Sequence, residues 1–180
     1  MTVTLTRWSV ADYHDLIGTD LLKQKSVELL KGQIVEVSPE SPLHADLNTT
    51  IAERLRFSLR QKALIREGKL ITLAPDSEPE PDIAVVRLGS YRQQHPQATD
   101  IFLIIEFANS SLAKDTQEKA LLYAQQAIAD YWVADLANQQ LRIYRQPSPS
   151  GYQDQQILTK GEITLLAFPD VTLTVTELLF

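Results

Sequence analysis

The octet Ile101-Phe-Leu-Ile-Ile-Glu-Phe-Ala108 constrains this chain more than any other segment. It is apolar on both alternating faces, the signature of a strand covered on each side at the centre of a sheet. Glu106 interrupts it. An ionised carboxylate is rarely left in such a place without a partner, because desolvating the charge is expensive. A bound cation removes the penalty. The plainer account is a salt bridge to a buried arginine.

The flanking segments supply the layers such a strand needs. Ser9 is placed to cap a helix over Val10 to Ile17, with Asp12 in the position of the capping-box acid and Gly18 ending it. The runs Ser26 to Leu30 and Gln33 to Ser38, joined at Lys31-Gly32, read as a β-hairpin. Pro39 and Pro42 bracket a loop. His44 to Gln61 is expected to be a long helix, with Leu47, Ile51, Ala52, Leu55 and Leu59 forming its apolar stripe. Lys69 to Leu73 reads as a strand. Three prolines between Pro75 and Pro81 make that segment an extended acidic loop, since each removes a backbone donor. Ile83 to Arg87 is a short strand, and Gly89 to Thr99 a polar excursion with a helical turn.

Thr116 to Ala127 is expected to be the second long helix, with Ala120, Tyr123, Ala124 and Ala127 on one face. Strands follow at Tyr131 to Ala134 and Leu141 to Arg145, across a turn at Asn138. Pro147 to Gly151 reads as a loop and Gln155 to Thr159 as a last strand. Val171 to Phe180 reads as a strand and a helical tail docked by Leu178, Leu179 and Phe180. The order predicts an α/β (mixed α+β) fold, a mixed sheet with helices packed on it, over one domain spanning residues 1–180. Trp132, Tyr131 and Phe107 are assigned to its core.

Composition narrows the function. The formal net charge is -6 and the sequence pI about 5.1, the wrong sign for a broad DNA-binding surface that works by counterion release. The chain has no cysteine, which excludes disulfides and thiolate metal sites. No apolar run reaches the roughly 18 residues needed to cross a bilayer, and no signal peptide is evident. The expected location is cytoplasmic.

The acids carry the chemistry. Asp82 opens one strand after Pro81, and Glu106 stands near the end of the next. Two carboxylates on neighbouring strands, with waters, suit the near-octahedral oxygen shell of Mg2+ (or Mn2+). Such a cation polarises a phosphoryl oxygen and activates water. Asp115, Lys119 and Tyr123 are spaced four apart, so they share a helix face. Lys119 is placed to orient water or neutralise developing charge, although an Asp115–Lys119 ion pair is the bland alternative. Glu28, on the hairpin, is a possible additional acid, and His44, at a helix entry, a possible base or phosphate contact. Surface glutamates and helix-entry histidines are common without any such role.

These residues sit in recognisable blocks. Glu28-Leu-Leu-Lys-Gly-Gln-Ile-Val-Glu-Val-Ser-Pro with Ser41-Pro-Leu-His44, then Pro81-Asp82-Ile-Ala-Val-Val, resemble the Uma-two family, formerly a domain of unknown function. So do Ile104-Ile-Glu106-Phe-Ala-Asn-Ser-Ser111 with Asp115, Lys119 and Tyr123, and the run Ile128-Ala-Asp-Tyr-Trp-Val-Ala-Asp135. The closing Ala167-Phe-Pro-Asp-Val is similar too. The resemblance extends from about Trp8 to Leu179 and implies the restriction-endonuclease-like fold of the PD-(D/E)xK superfamily: a mixed central β-sheet flanked by helices. It implies Asp82 as the first acid, Glu106 as the second and a divalent metal between them. The motif expects lysine two residues after Glu106, where this chain has Ala108. The basic role then falls to Lys119 on the following helix. The function expected is a Mg-dependent endonuclease acting on DNA as a homodimer. The alternative is a non-catalytic, nucleic-acid-associated or assembly module that keeps the fold.

Overall fold

The computed structural model describes residues 5–22, 25–37 and 39–180. Ser9 caps α1 (Val10–Ile17) with a full capping box: its hydroxyl accepts the Asp12 N–H at 3.1 Å, and Asp12 accepts the Ser9 N–H at 2.9 Å. The hairpin of β1 (Val27–Leu30) and β2 (Gln33–Glu36) turns through Lys31 at φ 48° and Gly32 at φ 74°. Two positive φ values are what a two-residue turn needs to match strand twist. Ser38, the expected end of the second run, lies outside the described residues.

Helix α2 (Pro42–Ser58) begins two residues before the expected His44. Ser41 is its N-cap, and Pro42 sits in the first turn, where its missing N–H costs nothing. Pro42 therefore opens a helix and does not bracket a loop. The stripe of Leu47, Ile51, Ala52, Leu55 and Leu59 is buried as read.

The strand expected at Lys69 to Leu73 is a misreading. The ladder is formed instead by β3 (Ala63–Glu67), which pairs with β4 (Ile83–Arg87) from Ala63↔Arg87 to Glu67↔Ile83. Gly68, at φ 49°, then turns the chain away, and Thr72 and Leu73 make only isolated bridges. The proline-rich segment leaves an exposed turn at residues 74–76 and runs into the core. Leu29 bridges Glu78, and Ser77 and Glu78 are fully buried.

β5 (Ile101–Ala108), β6 (Asp130–Asp135), β7 (Gln140–Ser148) and β8 (Gly151–Leu158) complete a six-stranded sheet of order β3-β4-β5-β6-β7-β8. All neighbours are antiparallel except β5 and β6. That parallel pair is joined by the crossover helix: a π-helical segment, Lys114–Lys119, running into α3 (Ala120–Gln125). The helix ends before Ala127, which turns out at φ 59° and is exposed, so it leaves the small-residue face assigned to it. β7 runs through Pro147, read as loop. Its pairing with β6 stops at Arg145, so the missing donor faces no strand on that side.

The sheet is covered on both sides. Leu103, Ile105 and Phe107 pack with α2 and with the closing hairpin of β9 (Glu162–Leu165) and β10 (Phe168–Thr174). Ala84, Ile104 and Ala108 pack with α3 and a group of tyrosines. Trp132, Tyr131 and Phe107 are core residues, as read. The C-terminal tail forms turns and no helix; Leu178 and Leu179 are buried, but Phe180 is 64% exposed. No helix among the described residues is long and apolar enough to cross a membrane.

Candidate active site

The register of β4 and β5 brings the two key acids together. Ile83 pairs with Ile105 and Ala84 with Ile104, so Asp82, one residue earlier, stands across from Glu106. Alternation turns both toward the α3 face, with Ala84 and Ile104. Directly opposed residues have Cβ atoms ~4.5–5.5 Å apart, a spacing at which two carboxylates can share a cation. The main chain ties them further. The Phe107 N–H donates to Asp82 Oδ2 at 2.6 Å, and the Asp82 N–H faces Glu106 Oε2 at 3.4 Å.

Glu106 is 3% exposed and has no arginine partner; its cation is Lys119, also 3% exposed, with Nζ 2.9 Å from Oε1. The Tyr123 hydroxyl donates to the same oxygen at 3.1 Å. Burial pushes the Glu106 carboxyl up to about 8, and Asp82 and Asp115 push the same way against the pull of Lys119. Lys119 is held well above the usual lysine range: burial disfavours its charge, but Glu106, Glu28 and Asp115 together outweigh that.

The π-helical segment delivers Asp115 and Lys119 into the same buried space. Its wide turn lets the Ala120 N–H reach the Asp115 carbonyl, which also accepts the Tyr131 hydroxyl at 2.9 Å. Asp115 Oδ1 lies 3.9 Å from Lys119 Nζ, and Ser111 donates to Oδ2 at 2.5 Å. The i,i+4 pair therefore exists, but as one edge of a larger buried network.

Glu28 enters from β1. Its carboxylate meets Lys114 at 2.8 Å, Lys119 at 3.5 Å and the Glu80 N–H at 3.2 Å. Burial works to raise its pKa, yet the two lysines and the hydrogen bonds win and lower it. So Glu28 is no surface glutamate: it is 1% exposed.

His44 enters from the first turn of α2. Its Nε2 is 3.0 Å from Asp82 Oδ2 and shielded from solvent, yet it completes no aligned hydrogen bond. The two atoms are in ion-pair contact without donor–acceptor alignment. Burial disfavours the charged imidazole, but Asp82, with Glu40 and Asp115 behind it, raises the pKa.

All six residues singled out in the sequence line one cleft of about 330 Å³: Asp82, Glu106, Lys119, Glu28, His44 and Asp115. The cleft also holds Glu40 and Lys114, which sequence reasoning missed. Glu40 stands four residues before His44 but outside the helix, so no periodicity marks it. Lys114 shares the helical run with Lys119, and only its bond to Glu28 shows its place. Counting Glu36 and Glu80, seven acids face two lysines and a histidine. Such a cleft attracts cations, and bare phosphate would be repelled from it.

Comparisons with known proteins agree with the fold. A family model, Uma2, described as "Putative restriction endonuclease", matches residues 10–176. Among curated proteins none matches this sequence. One similar solved structure is that of "a putative nuclease belonging to DUF820" from Anabaena variabilis ATCC 29413. It is 16% identical, the match covers 84% of this chain and 88% of that one, and the TM-score is 0.70.

Proposed function

This chain belongs to the Uma2 family, and from that premise we propose that it is a Mg2+- or Mn2+-dependent endonuclease hydrolysing phosphodiester bonds in DNA. The observation that carries the reading is the placement of Asp82 opposite Glu106, with Lys119 on Glu106, in a strongly acidic cleft. The donors fit a hard cation, since Asp82 and Glu106 both offer carboxylate oxygen. When bound, the cation supplies positive charge against a phosphoryl oxygen and favours ionisation of water.

The chain's own groups do the rest. Asp82 is held by the Phe107 N–H, so its carboxylate is pre-aimed. Lys119 pulls against the burial that favours a protonated Glu106, holds that carboxyl in place, and adds positive charge beside the reacting phosphate. Glu28 and Asp115 anchor Lys119 from two other sides, and Tyr123 fixes the Glu106 rotamer. Lys119 thus takes the place of the motif lysine that Ala108 lacks. A homodimer belongs to this reading, because cutting both strands of a duplex takes two sites.

One observation favours a non-catalytic module: the Lys119 ammonium is already engaged by three carboxylates. Supercoiled plasmid separates the two. Nicking or cutting with Mg2+ or Mn2+ that disappears in Asp82→Ala and Glu106→Ala is the expected result. Cutting that survives both variants would sink the site, and an inert parent chain would leave the module.

A further inference from the structure

Two lysines enter the cleft, and only one of them is tied down. Lys119 Nζ has Glu106 at 2.9 Å, Glu28 at 3.5 Å and Asp115 at 3.9 Å, and its side chain is 4% exposed. An ammonium held on three sides stays where it is. Lys114, at the start of the π-helical segment, donates to Glu28 Oε1 at 2.8 Å, and its side chain is 24% exposed. Among the described residues no arginine lines the cleft, and the third basic group, His44, is paired with Asp82.

Glu28 does not depend on the Lys114 bond. Its other oxygen lies 3.5 Å from Lys119 Nζ and accepts the Glu80 N–H at 3.2 Å. Burial works against its charge, and of the two lysines Lys119 pulls the harder in its favour. Lys114 is therefore free to leave without stranding a buried carboxylate. Its flexible stem carries a compact point charge, which suits phosphate. The cleft needs such a group. Seven acids repel an incoming phosphodiester backbone, and the Asp82–Glu106 pair, even with its cation, offers positive charge at one phosphate only. Lys114 stands two ion pairs away from Glu106, through Glu28 and Lys119. The phosphate within its reach is thus a neighbour of the one that faces the two acids.

We propose that Lys114 is a substrate contact: when DNA enters the cleft, it exchanges Glu28 for a backbone phosphate beside the one facing Asp82 and Glu106. Glu28 is then a latch that holds the ammonium while the cleft is empty. The proposal rests on the nuclease reading for its substrate, but it concerns binding and needs no turnover.

The salt dependence of DNA binding tests it. A short labelled duplex is titrated with the full chain by fluorescence anisotropy over a range of KCl, with Ca2+ in place of Mg2+. Lys114→Gln is expected to weaken binding about tenfold and to flatten the log–log salt slope by about 0.9, the value for one lost phosphate contact. Lys114→Arg should restore both. Glu28→Gln separates contact from screening: in that background Lys114→Gln should still weaken binding and flatten the slope, and no further loss there overturns the proposal. Circular dichroism checks that each variant is folded. A folded Lys114→Gln with the parent affinity and slope also overturns it, as does a parent chain that binds no duplex. If the parent cuts plasmid and Lys114→Gln cuts it with unchanged KM, the contact falls and the nuclease reading stands. A flattened slope in a chain that cuts nothing supports the contact and removes only the nuclease reading.

Discussion

Lys119 Nζ stands 2.9 Å from Glu106 Oε1, and neither side chain is meaningfully exposed. The pair is what allows an acid to sit in the central strand. Breaking a buried pair from one side costs ~3–5 kcal/mol, because the partner charge is left uncompensated. Lys119→Met strands Glu106 beside Glu28 and Asp115. Above about pH 8, where Glu106 is ionised, urea unfolding is expected to show a loss in that range, with part of it recovered by Mn2+. A variant within about 1 kcal/mol of the parent would mean that the network is not ionised.

The pH dependence of cation binding follows from Glu106. Its carboxyl is pushed from 4.5 up to about 8, so the folded chain keeps a proton that the unfolded chain has already released. The stability linked to that proton is whole below 4.5 and is lost as the pH rises through about 8. A divalent ion must displace the proton. Affinity at the Asp82–Glu106 pair should therefore rise up to about tenfold per pH unit toward 8 and level off above it. Calorimetry in buffers of different ionisation enthalpy reads the released proton directly. Affinity that is flat across this range would show that Glu106 is not a ligand.

Gly32 places Glu28. Its φ is 74°, and a Cβ there would meet Arg7 Cβ at 2.7 Å. Its carbonyl accepts the Trp8 N–H at 2.9 Å, and its N–H donates to the Asp76 carbonyl at 2.7 Å. Left-handed backbone costs a residue with a Cβ ~1–2 kcal/mol before any clash. Gly32→Ala is expected to lose at least that much stability in thermal or urea melts. Cation affinity should fall with it, because the strand carrying Glu28 shifts. A neutral result would show that the hairpin docks independently of its turn.

Asp130 supplies a control away from the cleft. It is fully buried and is held by Arg145 at 2.8 Å, the Trp132 indole at 2.7 Å and the Leu166 N–H at 3.0 Å. Arg145→Ala is expected to cost ~3–5 kcal/mol by stranding that charge. Mn2+ affinity of the folded protein should not change. A change would mean that the β6–β7 side of the sheet is coupled to the cleft.

Local pattern carried the elements whose burial is written in their own residues. Ile101 to Ala108 is apolar throughout and became β5, while the four-residue stripe from Leu47 to Leu59 became the buried face of α2. The capping box at Ser9 and the turn at Lys31-Gly32 were equally local. Where pairing decides, pattern failed. β3 exists because Ala63 to Glu67 meets β4, and Pro147 is tolerated because β6 has ended.

The carboxylate pair shows the same division. Sequence alone determined that Asp82 stands at the entry of one strand and Glu106 within the next, that Glu106 needs a counter-charge, and that Ala108 is no lysine. Only the tertiary structure decided how that charge is met. An antiparallel register sets Asp82 across from Glu106, a π-helical turn supplies Lys119, and a hairpin carries in Glu28. It also decided that Glu40 and His44 converge on Asp82 from the start of α2. A buried charge states in one dimension that it needs a partner. Which partner reaches it depends on segments far apart in the chain, 86 residues for Lys114 and Glu28 and more for Lys119 and Glu28, and only folding brings these together.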